Sequence, residues 1–452
     1  RKQGLAGRLS YAYDGKYMAE VNMGYNGSEN FAKGHRWGFF PSIALGYNIS
    51  EESFFEPLRK VITSMKLRGS WGLVGNDQIG GERFIYMPTI NLSGKGFTTG
   101  IDQNYGLSGP VYTRYENNSI TWEVGEKINL GIDLQLLNSL NIVVDIFRET
   151  RRDIFQKKGT IPTYLGTGNT DVFGNLAEMK NQGLDLSIDY NKAFSKDFYM
   201  NFKGTFTYAH NEITKYDEAP KYAFQSKVGQ SANVSQGYLS NGLFLDEAEI
   251  DRYNQQMGST LGAGDIKYLN VSNMHGYGDD IVDVDDWTWI GNPTVPEIVY
   301  GFGPSFKYKN WDFSFFFQGV AKTSLFMSGF HPFGDNSLRN VLQFVANDRW
   351  SPTNQNVDAK YPRLTRKTSL NNTNPGNSGR TSDYWMRDGS FLKLKNMELG
   401  YTFKRMRFYI SGSNLLTFSK FDLWDPEQGG GSGLKYPTQR VFNVGFQMTF
   451  NN

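Results

Sequence analysis

Histidine is the side chain best suited to moving protons near neutral pH, and the four here, His35, His210, His275 and His331, are too scattered to form an HExxH-type pair. No G-x-S-x-G elbow or phosphate-binding glycine loop accompanies them. Each histidine reads as a polar loop or wall residue, and the chain does not read as an enzyme. The densest carboxylate group is Asp279-Asp280-Ile281-Val282-Asp283-Val284-Asp285-Asp286. Closely spaced carboxylates are what a hard cation such as Ca²⁺ requires. Asp279, Asp283 and Asp286 are therefore the candidate ligands if the run holds a metal; the simpler reading is a solvated acidic loop, and no cofactor is expected. With zero cysteines, a disulfide scaffold and a Cys-ligated metal are excluded. For ligand capture the candidates are loop aromatics, Tyr238, Phe244, Trp287, Trp289 and Trp385, because rings stack on sugar faces and anchor interfaces; for any one of them, packing within the loops is the favoured role.

The elements that must position these residues show in the last strand. From Phe442 to Phe450, Phe442, Val444, Phe446, Met448 and Phe450 alternate with Asn443, Gly445, Gln447 and Thr449, a period of two ending on an aromatic ring. Similar segments recur at Leu5–Tyr13, Tyr17–Tyr25, Phe39–Ile49, Leu67–Leu73, Trp122–Leu136, Leu140–Thr150, Leu184–Tyr190 and Phe198–Tyr208. They continue at Ile298–Tyr308, Trp311–Gly319, Phe391–Phe403, Met406–Leu415 and Arg440–Phe450, about thirteen strands, most near the ~9–11 residues that a tilted membrane strand needs. In Phe391–Phe403 the apolar phase slips from Leu392 and Leu394 to Met397 and Leu399, which predicts a β-bulge near Asn396.

Short links at Asp14-Gly15, Asn138-Ser139, Asn191–Asp197, Lys309-Asn310 and Lys404-Arg405 alternate with long ones. The long ones are Asn26–Gly38, Val74–Thr121, Arg151–Lys180, Ala209–Glu297, Val320–Ser390 and Leu416–Gln439. Asp-Gly predicts a type I′ turn. Ser50–Met65 is expected to be partly helical, with Ser53 and Glu56 spaced as a capping box. Asp246–Gln256, and the stretch carrying Leu338, Val341, Leu342, Val345 and Trp350, are expected to be amphipathic helices. Gly429–Gly433 is expected to be a flexible tip. Long loops at one end and short turns at the other are the pattern of an outer-membrane barrel.

At 39% hydrophobic, with no run near the ~20 apolar residues of a membrane helix, helical insertion is excluded, whereas a barrel needs apolar residues only at alternate positions. The 47 basic and 45 acidic side chains nearly cancel and are mixed along the chain, so nucleic acid is not an expected partner. On the polar strand faces, Arg8, Glu20, Arg68, Asp133, Asp145, Asp185, Asp189, Lys203, Asp312 and Arg407 would hydrate a channel, bond a plug or solubilise the wall. The chain opens on Arg1 with no leader pattern, and an even strand number is the rule for bacterial single-chain barrels. Further N-terminal strands are therefore expected outside it.

Several stretches carry a more specific resemblance: Tyr25-Asn26-Gly27-Ser28, Arg36-Trp37-Gly38-Phe39-Phe40-Pro41-Ser42, Leu67-Arg68-Gly69-Ser70-Trp71-Gly72 with Gly75-Asn76, and Gly264-Asp265-Ile266-Lys267-Tyr268. Ile290-Gly291-Asn292-Pro293, Tyr361-Pro362-Arg363-Leu364, Arg387 to Asn396, Ser413-Asn414-Leu415-Leu416-Thr417, Trp424-Asp425-Pro426-Glu427 and Tyr436-Pro437 follow in order. In that order the chain resembles the C-terminal half of a SusC/RagA-type TonB-dependent transporter. The resemblance implies an all-β transmembrane antiparallel barrel of about 22 strands around a plug. Residues 1–452 would supply the C-terminal portion, about 13 strands, without the plug, the TonB-contacting segment or the first strands. It further implies a bacterial outer-membrane importer of glycans or peptides, a complex with a SusD-like surface lipoprotein, and energy delivered through TonB. Relatives carry a D-x-N-G-D-G-x-I pattern at the acidic run; here His275, Tyr277 and Asp280 depart from it. A passive porin and a secreted β-rich adhesin or lectin remain as alternatives: the upstream coding sequence separates the first, extraction with detergent the second.

Overall fold

The computed structural model describes residues 1–450 apart from 82, 163, 165–169, 254, 257–260, 329–339 and 366–380. His331 and Leu338 lie outside the described residues. Thirteen long strands carry the fold: β1 (Lys2–Tyr13), β2 (Tyr17–Ser28), β3 (Trp37–Asn48), β4 (Ile62–Asn76), β5 (Glu123–Leu136), β6 (Leu140–Lys157), β7 (Phe173–Ala193), β8 (Phe198–Lys215), β9 (Ile298–Tyr308), β10 (Trp311–Ala321), β11 (Phe391–Phe403), β12 (Met406–Ser419) and β13 (Val441–Met448). The chain divides into two units, residues 1–190, 207–220 and 226–231, and residues 191–206, 221–225 and 232–452. In the first, β1 to β7 pair in sequence order, each antiparallel to the next. In the second, β9 to β13 do the same.

Local chemistry explains the joints. Asp14 (φ 52°) and Gly15 (φ 65°) are both left-handed and the Lys16 N–H donates to the Tyr13 carbonyl at 2.9 Å, the geometry for which Asp-Gly is favoured. The register of β11 against β12 shifts between Leu394 and Asn396, the bulge that the slipped apolar phase predicts.

A strand forms at every segment expected from the sequence; several run on, while the last, expected over Arg440–Phe450, spans Val441–Met448 and leaves Phe450 beyond its end. β6 reaches Lys157, β7 begins at Phe173 and β8 reaches Lys215, so these strands are 18 to 21 residues long. The stretch Val74–Thr121, read as a loop, contains an antiparallel hairpin of Thr89–Thr99 with Tyr105–Arg114, and its three register shifts erase the clean alternation that would mark it. Ser53–Leu58 is a 3₁₀ helix without the expected capping box: its N-cap is Glu52, whose carboxylate instead accepts from the Tyr17 hydroxyl at 2.7 Å. The two amphipathic helices shrink to Glu247–Arg252 and Gln343–Asn347, and Trp350 lies beyond the second as a buried loop residue. Gly429–Gly433 is no free tip, since the Gly431 N–H donates to Phe326 and its carbonyl accepts from Ser328, both at 2.8 Å.

The apolar strand faces are uncovered. Leu9 is 73% exposed, Leu45 58%, Ile146 61% and Val444 88%, although alternation places each among other apolar side chains. A soluble sandwich would pack such faces against a second sheet. Rings bracket the apolar band in the first unit: Tyr17 stacks on Tyr47 (5.1 Å between centroids) at the short-turn end, and Tyr25 on Trp37 (4.8 Å) at the long-loop end. Tyr17 and Tyr25 are eight residues apart, roughly 20 Å of height at ~3.3 Å per residue and a ~40° tilt, close to the ~25 Å band of a membrane barrel. In the second unit Trp311 packs on Tyr401 at the short-turn end, 4.7 Å between centroids. No described helix is long and apolar enough to cross a membrane.

Burial is concentrated in the loops. In the second unit the main core gathers Tyr238, Leu243, Ile266, Tyr268, Val345, Trp350, Tyr361, Trp385 and neighbours, all from between the long strands. A smaller core in the first unit contains Phe31, Ile79, Ile85, Ile120 and Trp122.

Candidate functional site

Two surfaces carry the polar chemistry: the polar strand faces and the folded loops. On the polar face of the first unit, Arg68 of β4 faces Gly131 of β5, which in turn faces Asp145 of β6. Because Gly131 has no side chain, the guanidinium crosses it. Arg68 Nε donates to Asp133 Oδ1 at 3.0 Å, and Nη2 to Asp133 Oδ1 at 2.8 Å and to Asp145 Oδ2 at 3.0 Å. A Cβ on Gly131 would lie 2.6 Å from Asp145 Oδ1 and 2.8 Å from Arg68 Cζ. The second unit repeats the device: Arg407 of β12 reaches Asp312 of β10 over Gly400 of β11, with Glu398 as its second acceptor. Arg8 pairs with Glu20 on neighbouring strands. Asp185 stands opposite Asp145 and accepts from Thr207 Oγ1 at 2.7 Å. Charge on this face is thus held in cross-strand networks of charge-assisted hydrogen bonds.

The loop core of the second unit is assembled by paired motifs far apart in sequence. Asp265 is fully buried; its Oδ2 accepts from Arg363 Nη2 at 3.1 Å and from the Gly262 N–H at 3.0 Å, and its Oδ1 from Arg363 Nε at 2.5 Å. Gly264 (φ 85°) lies beneath Trp350, whose ring would be 2.3 Å from any Cβ placed there. Gly291 (φ 65°) likewise makes room for Met386. Near this core, Tyr384 donates to the Ala359 carbonyl at 2.7 Å, and burial pushes its hydroxyl well above the usual tyrosine value; burial also pushes Tyr361 up to about 12. At the last loop, Lys393, with 0% exposure, donates to Asp425 Oδ2 at 2.5 Å and Glu427 Oε2 at 2.6 Å, and Lys395 donates to Glu427 Oε1 at 2.7 Å. Burial alone would raise both carboxyls, but these lysines hold Asp425 and Glu427 below the ordinary carboxylate range.

The sequence-singled residues fall unevenly on this frame. Tyr238 (2% exposed), Phe244 (0%) and Trp385 (0%) are interior, so their ring faces meet protein rather than solvent; Trp287 packs against the same core and Trp289 is half-buried. The acidic run is a folded turn. Asp279 Oδ1 accepts from the Ile281 N–H at 3.2 Å, and Asp283 Oδ1 accepts from Asp285 at 2.8 Å as the cap of Val284–Asp286. Asp286 accepts from Ser272 at 2.9 Å and Asp283 at 2.8 Å, and burial raises its carboxyl. These carboxylates satisfy backbone N–H groups, and among the described residues no group of three or more His, Asp or Glu is arranged to hold a metal. Sequence reasoning missed Arg363, Lys393, Lys395 and Glu398 as partners. The alternation does place Glu398 on the polar face, whereas nothing local pairs Asp265 with Arg363, 98 positions away.

A family model described as TonB dependent receptor-like, beta-barrel, matches residues 1–415. TonB-dependent receptor P3 of Formosa agariphila is 27% identical, over 98% of this chain and 45% of its own length. TonB-dependent receptor SusC of Bacteroides thetaiotaomicron is 28% identical, over 98% of this chain and 43% of its own. Among solved structures, the RagAB peptide importer in its closed-closed state superposes with a TM-score of 0.72 at 20% identity, covering 99% of this chain and 48% of that one. The chain spans about half the length of the curated relatives it matches, and the structural likeness is one of fold.

Proposed function

We propose, from the premise that this chain belongs to the TonB dependent receptor-like β-barrel family, that it forms wall and extracellular loops of an active importer in a bacterial outer membrane. The observation that carries this reading is the uncovered apolar face of the strands, bracketed by stacked rings and backed by a charged opposite face. A face of that kind requires hydrocarbon: burying the opposite, charged face in lipid would cost about 2–4 kcal/mol for each basic residue near the midplane. The short-turn end is then periplasmic and the long loops extracellular.

In this reading residues 1–452 are the C-terminal portion of the barrel, and the chemistry of the segment is non-covalent. Polar faces keep a hydrated path, and the loop core gives a rigid mouth on which a SusD-like surface lipoprotein seats and delivers a glycan or a peptide. Movement of substrate draws on the inner-membrane proton gradient through TonB, acting on parts of the protein outside this chain. Uptake of a labelled nutrient by cells carrying the full-length gene tests the proposal. Deletion of the gene, or collapse of the proton gradient, is expected to abolish energised uptake; transport that persists after the gradient is collapsed would indicate a passive pore instead.

A further inference from the structure

A cavity in the second unit is not accounted for by wall or loop packing. It has a volume of about 430 Å³, within the range of small-molecule sites, and lies where the last loop meets β10 and β11. Its floor includes Gln318 on the polar face of β10, two residues beyond Phe316 and four beyond Ser314, and Phe391 of β11. Its far wall is Gly429–Gly431, held against Phe326 by the Gly431 N–H and to Ser328 by the Gly431 carbonyl. A Cβ on Gly430 would lie 2.7 Å from the Phe326 carbonyl oxygen, so this wall must be bare backbone.

The lining carries one charged residue, Glu427, and its two oxygens are already taken by Lys393 and Lys395. A charged ligand would therefore find no free countercharge. Two neutral polar side chains, Gln318 and Ser328, line the cavity and have no hydrogen-bond partner among the described residues. An apolar ligand would cover them and leave both unsatisfied, at about 1–3 kcal/mol each. The rings of Phe326 and Phe391 supply apolar surface beside those polar groups.

We infer that this cavity is a subsite for an uncharged sugar unit, with Gln318 and Ser328 bonding its hydroxyls and Phe326 and Phe391 contacting its apolar face. The inference rests on the import reading and chooses glycan over peptide within it.

The test is calorimetric titration of the detergent-solubilised full-length protein with maltoheptaose, laminarihexaose and mannohexaose, a uronic-acid oligomer, and an end-capped apolar peptide. At least one uncharged oligosaccharide is expected to bind, the uronic-acid oligomer not. Gln318→Ala and Ser328→Ala should each weaken that binding roughly three- to tenfold, the loss of one neutral hydrogen bond, with unfolding temperature unchanged. The inference is overturned if none of the uncharged sugars binds, if sugar binding ignores both substitutions, or if the peptide binds and Gln318→Leu tightens it. Titration needs no energised membrane, so any of these failures leaves gradient-driven uptake, measured in cells, untouched.

Discussion

Replacing Lys393 with methionine should release the last long loop from the strand that holds it. Lys393 is wholly buried and contacts two carboxylates, Asp425 at 2.5 Å and Glu427 at 2.6 Å, which are themselves 17% and 34% exposed. Removing one member of a buried ion network leaves uncompensated charge and typically costs about 3–5 kcal/mol. Here the cost is smaller, because Glu427 keeps Lys395 and Asp425 Oδ1 still accepts the Glu427 N–H at 3.1 Å. About 2–3 kcal/mol remains, a shift of roughly 30- to 150-fold in the docking equilibrium of the loop. Undocking exposes the glycine tract 429–433, so protease added to intact cells should cut there in Lys393→Met at rates of the same order above wild type. The pH dependence has a defined sign. Asp425 and Glu427 titrate below their unfolded values, so their contribution is present above the usual carboxylate range near pH 4 and is lost as pH falls through their depressed folded values. Wild-type cutting should therefore rise only in acid, and Lys393→Met should show a smaller rise, carried by the Lys395 and backbone bonds that remain. Equal cutting of the two proteins at neutral pH would refute the reasoning, as would an unchanged acid response in the variant.

Other substitutions probe the remaining surfaces. Leu9→Arg, on the uncovered apolar face, should lower barrel stability by about 2–4 kcal/mol in lipid, measured by urea unfolding in bilayers, whereas Ser10→Arg on the opposite face should stay within about 0.5 kcal/mol; equal effects would mean that the two faces meet the same solvent. Gly264→Ala places a Cβ 2.3 Å from the Trp350 ring at φ 85°, so tryptophan emission should shift to the red as that ring leaves the core, with a loss above about 2 kcal/mol; an unchanged spectrum would sink the packing account. Gly131→Ala should force Arg68 off Asp145 and lower unfolding free energy by about 1–2 kcal/mol, an effect that vanishes when Asp145 is already Asn. Asp283→Ala removes a helix cap and should cost about 1 kcal/mol whether or not millimolar Ca²⁺ is present; stabilisation of wild type alone by the ion would instead make the acidic turn a binding site.

How much of this was legible depended on whether a residue's partner lay within reach of a local period. β13 and β8 were readable because one face meets a uniform environment for many residues, which forces alternation; even the bulge at Lys395 showed as a slipped phase. The hairpin Thr89–Thr99 with Tyr105–Arg114 was not, since its strands have apolar residues exposed on irregular registers and no face imposes a pattern. The Ser53 capping box failed because Glu52 occupies the cap and is drawn to Tyr17, a strand residue 35 positions away. Among the ring candidates, Tyr238, Phe244 and Trp385 were legible by type, and their burial matches the loop packing expected of any one of them, although no period announces the core they join.

That core explains why motifs individually weak in the sequence travel together. In a barrel wall the hydrophobic effect acts outward, toward lipid, and the strands offer little interior to fold around; among the described strands of the main sheet, Ala177, Phe391 and Leu394 are the buried apolar residues. The long connections must then supply their own interior, and a loop can do so only where backbones approach closely and buried charge is compensated. Gly264 under Trp350, Gly291 beside Met386, Asp265 with Arg363 and Lys393 with Asp425 and Glu427 are those places. Each joins two of the short motifs or a motif to a single side chain outside them, so no one motif keeps its meaning without its partner. A loop substituted wholesale from another protein would have to bring both halves of each pair, and grafting residues 262–270 without Arg363 and Trp350 should leave a folded barrel with an unfolded mouth.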